Sequence, residues 1–141
     1  VIINGKENEE FENRIYNISK NIKIFYSEYI PVNIEQFKNK NLYAFAGIGN
    51  PANFFELLSE YNLNVKKKIA FPDHHKLSEN ELANMIEISS KNNFEIITTE
   101  KDFYRHKDYG FDKLKYLKIR LKIYEKNKLI KEILKYLWLV L

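Results

Sequence analysis

An α/β fold, with a mostly parallel sheet sandwiched by helices, a basic edge strand and a C-terminal amphipathic helix, is what this 141-residue sequence predicts. Short apolar runs at residues 42–46, 65–71 and 94–97 alternate with segments of helical period, the order that right-handed crossovers and a parallel sheet require. Each run leads into a short polar cassette: Gly47-Ile48-Gly49-Asn50-Pro51, Phe71-Pro72-Asp73-His74-His75 and Thr98-Thr99-Glu100-Lys101-Asp102. Parallel strands would bring all three cassettes to one edge of one sheet, where open α/β folds build their ligand crevice. A hydrophobic content of 45%, with 15% aromatic residues, is enough for one core, so residues 1–141 are expected to form a single domain.

In chain order, Val1-Ile2-Ile3 reads as a strand ending at the turn signal Asn4-Gly5, and a chain that opens on a strand suggests a missing N-terminal partner. Phe11, Ile15 and Ile18 mark one face of a short helix within residues 7–21. Residues 22–40 read as a linker strand, stopped by Pro31, and a connector. Residues 42–46 are continuously apolar, as expected when both faces of a parallel strand are covered. Asn50 suits an N-cap and Pro51 the first helical position, after which Phe54, Leu57, Leu58 and Tyr61 recur at helical spacing.

The strand at 65–71 stops at Pro72, which has no N–H to donate. Ser78 with Glu81 forms a capping box ahead of a helix that buries Leu82, Met85 and Ile86. After the strand at 94–97, Thr99 and Asp102 resemble a helix start. Leu117, Ile119, Leu121 and Ile123 alternate with Lys118, Arg120 and Lys122, the pattern of one half-buried edge strand with a basic wet face. Residues 128–141 form an amphipathic helix with Leu129, Ile130, Ile133, Leu134 and Leu137 on one side.

Composition excludes several classes. With no cysteine there is neither a disulfide scaffold nor a thiolate metal site. No run of about 18 apolar residues is present to span a bilayer as a helix, and a cytoplasmic location is expected. From Lys113 onward nine basic residues face two acidic ones, so this segment carries +7 and leaves −3 of the net +4 for everything before it. Such a tail suits phosphate-rich partners, nucleic acid or an anionic membrane surface, or simply a solvated surface.

The cassettes hold the candidate chemistry. Gly47, Gly49 and Asn50 sit where a backbone can approach an anion at a helix N-terminus, or where a tight turn needs glycine. Asp73 and His74 offer a carboxylate and an imidazole for acid–base or orienting work, and His75 is expected at the surface. Neighbouring side chains on extended backbone point apart, so the histidines are not read as a metal pair. Thr98, Thr99, Glu100, Lys101 and Asp102 combine capping with ion pairing, while Tyr104, Arg105 and His106 are expected on the surface.

Read together, Ala46-Gly47-Ile48-Gly49-Asn50-Pro51 with Phe54-Phe55, Ala70-Phe71-Pro72-Asp73-His74-His75, and Thr98-Thr99-Glu100-Lys101-Asp102 resemble the C-terminal half of the tetraacyldisaccharide 4'-kinase family. The opening Val1-Ile2-Ile3-Asn4-Gly5 resembles the strand leading into that half. The resemblance implies a P-loop-type lipid kinase that uses ATP and Mg2+ to phosphorylate the 4' hydroxyl of a lipid A disaccharide precursor at the Gram-negative inner membrane. It implies that the Walker A loop, the metal-binding acids and the catalytic aspartate belong to an N-terminal P-loop domain outside this chain, which alone would not turn over. His74 would face that aspartate, Asp73 would orient the imidazole, the glycine loop would shape the cleft wall, and residues 98–102 would support the same edge. The competing reading is a noncatalytic binding module with a nucleic-acid-binding tail. It is disfavoured because Tyr116 and Tyr124 only flank the basic stripe and do not interleave with it.

Overall fold

The structure is a computed structural model describing residues 1–137; residues 138–141 of the expected C-terminal helix lie outside the described residues, as does the side chain of Leu137. The elements run β1 (Ile2–Asn4), α1 (Glu9–Ile18), β2 (Phe25–Pro31), β3 (Asn41–Ala46), α2 (Pro51–Glu60), β4 (Asn64–Ala70), α3 (Glu79–Lys91), β5 (Glu95–Thr99), α4 (Glu100–His106), β6 (Lys115–Leu117), β7 (Ile119–Ile123) and α5 (Lys126–Leu137). Short 3-10 turns occupy Ile34–Phe37 and Lys107–Tyr109. This is an α/β fold with mostly parallel pairing. The chain divides into two compact units, Pro31–Ile119 and the segments before and after it.

In Pro31–Ile119 the strand order is β4-β3-β5-β6 and every pairing is parallel. β3 is central because its five apolar residues, Leu42 to Ala46, bury on both faces. Alternation sends Leu42, Ala44 and Ala46 to one side, with Phe54 and Leu58 of α2, Ile97 and Leu117. Tyr43 and Phe45 go to the other, with Leu77, with Leu82, Met85 and Ile86 of α3, and with Ile96. α3 starts at a complete capping box, in which Ser78 Oγ accepts from Glu81 N–H and the Glu81 carboxylate accepts from Ser78 N–H. α2 has Pro51 in its first turn, but Asn50 makes no capping bond with its side chain.

The other unit holds a second sheet of order β1-β2-β7, with β1 and β2 parallel and in register from Ile2↔Phe25 to Asn4↔Ser27. Asn8 caps α1 by accepting from Phe11 N–H. The Tyr26 hydroxyl donates to Glu12 Oε1 at 2.5 Å, and this bond to a carboxylate raises the tyrosine's pKa. α5 leaves Ile130, Ile133, Leu134 and Tyr136 exposed beside its lysines.

Two sequence expectations are corrected. The alternating run 117–123 is not one strand: Leu117 ends β6 in the four-stranded sheet, while β7 lies on the edge of the three-stranded one. The break falls at Lys118, whose N–H donates to Asn33 Oδ1 and whose carbonyl accepts from Val32 N–H, so neither group joins a strand pair. β7 is also wetter than expected, with Ile119 and Leu121 both exposed. β2 ends at Pro31, where the proline was expected to stop it.

Candidate functional site

The three cassettes follow β3, β4 and β5, parallel neighbours, and therefore meet at the C-terminal edge of one sheet. From β3 the chain passes to β4 on one side and then crosses to β5 on the other, so the strand order reverses at β3, the position where open α/β sheets place a ligand crevice. Phe71 N–H donates to Ala46 O at 2.8 Å, extending the β3–β4 ladder to the brink of both cassettes.

Asp102 is the centre of the edge. It is 1% exposed, in the first turn of α4, where the helix dipole favours a carboxylate. Its Oδ2 accepts from Gly47 N–H at 2.9 Å and from the Thr99 hydroxyl at 2.8 Å, and Thr99 Oγ1 in return accepts from Asp102 N–H as the N-cap. Its Oδ1 pairs with Arg105 Nη1 at 2.5 Å. That same guanidinium nitrogen lies 3.1 Å from Gly47 O and 3.2 Å from His75 O. A Cβ on Gly47 would sit 3.4 to 3.5 Å from Asp102 Oδ1, Arg105 Nη1 and His75 O, so the glycine keeps room for this convergence. Because the pair is desolvated, removing the carboxylate and stranding Arg105 costs about 3–5 kcal/mol.

His74 crowns the neighbouring turn. His75 N–H donates to Pro72 O at 3.1 Å, closing a four-residue turn whose third residue, His74, has φ +61°. Glycine or asparagine is the usual occupant of such a position, and another residue pays roughly 1–2 kcal/mol there. The turn is held by His74 N–H donating to Asp73 Oδ1 at 2.9 Å and by the His75 ring stacked on Phe71, centroids 5.0 Å apart and planes within 8°. The outcome is an imidazole 76% exposed, with Nε2 3.5 Å from Asp73 Oδ2 and Lys101 Nζ 3.6 Å from Asp73 Oδ1. A Cβ on Gly49 would meet Asp73 Oδ2 at 3.4 Å, so the glycine loop and the Asp73 turn are immediate neighbours.

The sequence-predicted residues thus separate by role. Asp73, His74, Gly49, Asn50 and Lys101 are exposed at the edge, and Glu100 is half-buried. Thr98 is fully buried, its hydroxyl donating to Phe45 O at 2.8 Å, and binds β5 to β3. Gly47 is buried with its N–H committed to Asp102, so it has no donor left for a phosphate. Among the described residues no group of three His, Cys, Asp or Glu side chains could hold a metal ion.

Three expectations change. His75, expected to be more exposed than His74, is the less exposed of the two because it stacks on Phe71. Arg105, expected on the surface, is folded back onto Asp102 with its side chain 15% exposed. His106, also expected outside, is 2% exposed: Nε2 accepts from Leu77 N–H at 3.0 Å and Nδ1 donates to Asp102 O at 2.7 Å, a fully bonded neutral ring. Burial lowers its pKa, against an opposing pull from the Asp102 carbonyl. Tyr104 is exposed as expected. The Asp102–Arg105 spacing of three residues on a helix is the one sequence signal that pointed to the buried pair.

Comparison with known proteins places this edge in context. The family described as Tetraacyldisaccharide-1-P 4'-kinase (LpxK) matches residues 1–138. Tetraacyldisaccharide 4'-kinase of Pelagibacter ubique is 34% identical over 138 residues, covering 96% of this chain and 44% of the relative. The enzyme of Rickettsia bellii is 40% identical over 98 residues, covering 70% of this chain and 30% of the relative. The chain therefore spans less than half the length of these relatives. Among solved structures, LpxK from Aquifex aeolicus, crystallised in complex with ATP, shares the fold with a TM-score of 0.55 at 20% identity, over 92% of this chain and 45% of that one.

Proposed function

The chain belongs to the tetraacyldisaccharide 4'-kinase family, and from that premise we propose that it is the C-terminal portion of an ATP-dependent kinase acting on the 4' hydroxyl of a tetraacyldisaccharide 1-phosphate lipid A precursor. The reading rests chiefly on His74, an exposed imidazole fixed on a strained turn at the crevice of a parallel sheet. Left-handed backbone also occurs at Asn39, Asn62, Asn93 and Glu125, but at His74 it coincides with the sheet edge where the three cassettes lie, and strain at such an edge is one mark of a working site.

In this reading His74 faces a catalytic carboxylate contributed from outside the chain and tunes it as the base for the sugar hydroxyl. Asp73, 3.5 Å from Nε2, biases the ring's orientation. Gly49 and Asn50 form the adjoining wall, and Thr98, Thr99, Glu100, Lys101 and Asp102 support the edge from below.

Gly47 N–H is already bonded to Asp102 and is not available to the nucleotide's phosphates. Phosphate and Mg2+ binding are accordingly assigned to an N-terminal P-loop domain, and this chain by itself is inactive. The enzyme would work on the cytoplasmic face of the inner membrane. No described helix is long and apolar enough to cross a membrane, and the exposed apolar and lysine residues of α5 suit an anionic surface.

The test is phosphoryl transfer from ATP to the disaccharide by the full-length enzyme. His74→Ala is expected to lower kcat by about 10²–10⁴-fold, with an unchanged thermal midpoint. Wild-type turnover in that variant would refute the role.

A further inference from the structure

We infer that Arg105 is a positioning residue for His74, acting through the backbone of the loop that carries it. The inference rests on the kinase reading for its consequence in turnover, and on geometry alone for its structural part. One nitrogen, Nη1, is within hydrogen-bonding distance of oxygens from all three cassettes: Gly47 O, His75 O and Asp102 Oδ1. Asp102 meanwhile holds Gly47 N–H and the Thr99 hydroxyl. The pair therefore ties the loops after β3, β4 and β5 into one rigid edge, which the sheet alone does not accomplish, since strand pairing between β3 and β4 ends at Ala46 and Ala70.

The contact to His75 O matters most. It grips the carbonyl of His75, the residue after His74, whose left-handed backbone would relax toward an ordinary conformation if the turn were released. The other restraints act within the turn and not between loops: His75 N–H closes it on Pro72 O, the Asp73 carboxylate reaches only the N–H side of His74, and the His75–Phe71 stack restrains a side chain while leaving the His75 carbonyl free. Arg105 itself is held in place by the Asp102 carboxylate, which is 1% exposed. An arginine spent on two backbone carbonyls of different loops makes contacts that a simple ion pair with Asp102 does not need.

The experiment compares Arg105→Met, which keeps bulk and removes the donors, with Arg105→Lys, which keeps a cation and its N–H donors one bond short of the same point. Arg14→Ala, at an exposed pair with Glu10, serves as control. With histidine and glycine labelled in 15N, Arg105→Met is expected to shift and broaden the amide signals of His74, His75 and Gly47 while those of Gly5 and Gly110 stay in place. In the full-length kinase the same variant should lose about 10²-fold in kcat, the scale of an ångström's misplacement, with the KM for ATP changed less than about threefold. Arg105→Lys should recover at least a tenth of wild-type kcat.

Should Arg105→Met fail to fold, Arg105→Lys decides: it must still move the His75 and Gly47 signals and cost severalfold in kcat. Unmoved signals at residues 47, 74 and 75, or wild-type kcat with moved signals, overturn the inference. If the full-length protein phosphorylates no lipid and the labelled amides move nonetheless, it is the kinase reading that has failed, and the anchoring of the His74 loop by Arg105 stands.

Discussion

Single residues at this edge do unlike things for reasons of environment. His74 and His106 are both imidazoles, yet one is exposed on a strained turn and the other is sealed under Leu77 with both nitrogens bonded. The buried ring makes a prediction with a definite sign. Its folded pKa lies below the unfolded value of about 6.5, so the unfolded chain binds the extra proton first. Its stabilisation is therefore complete above about pH 6.5 and is lost as pH falls toward the folded pKa. In urea unfolding, His106→Gln is expected to be less stable than wild type at pH 7 and to show a shallower decline from pH 7 to 5. An equally steep decline would contradict this assignment. The sequence did not reveal His106, because what buries it is a backbone N–H 29 residues away. The polar character of Asp73 and His74 was legible, since a short post-strand turn has no interior in which to hide a carboxylate.

At the level of elements, the parallel strands and their helices were legible because burial on both faces leaves a continuous apolar run, as in residues 42–46, and because Ser78 with Glu81 announces a helix start. The division of strands between two sheets was not. Alternation runs unbroken through Lys118, and the side-chain and backbone bonds that end β6 there come from Asn33 and Val32, far back in the chain. Thr98 illustrates an element-scale role for a residue found within a chemical-looking cassette. Its hydroxyl bonds the carbonyl of Phe45 across the β3–β5 pair, fully buried. Thr98→Val keeps the shape and removes one bond, and is expected to cost about 1 kcal/mol of stability while leaving full-length turnover within about twofold. A loss of turnover larger than the loss of folded protein would move Thr98 into the chemistry.

For the whole molecule, the decisive fact is proportion: a chain matching less than half of its relatives carries a sheet edge with an imidazole and a carboxylate, and the first glycine of its loop is already bonded to its own Asp102. Such an edge can shape and tune a phosphoryl-transfer site without gripping the nucleotide. Calorimetry of the 141-residue chain with ATP is expected to give binding weaker than about millimolar, a few kcal/mol at most, and micromolar binding would mean the phosphates are held here after all. The most direct measurement is turnover of the full-length enzyme carrying His74→Gly, with and without added imidazole. Glycine suits the left-handed backbone at this position, so the fold should be at least as stable as wild type. The account predicts a kcat lowered by about 10²–10⁴-fold and partly restored by imidazole; wild-type kcat in its absence would contradict it.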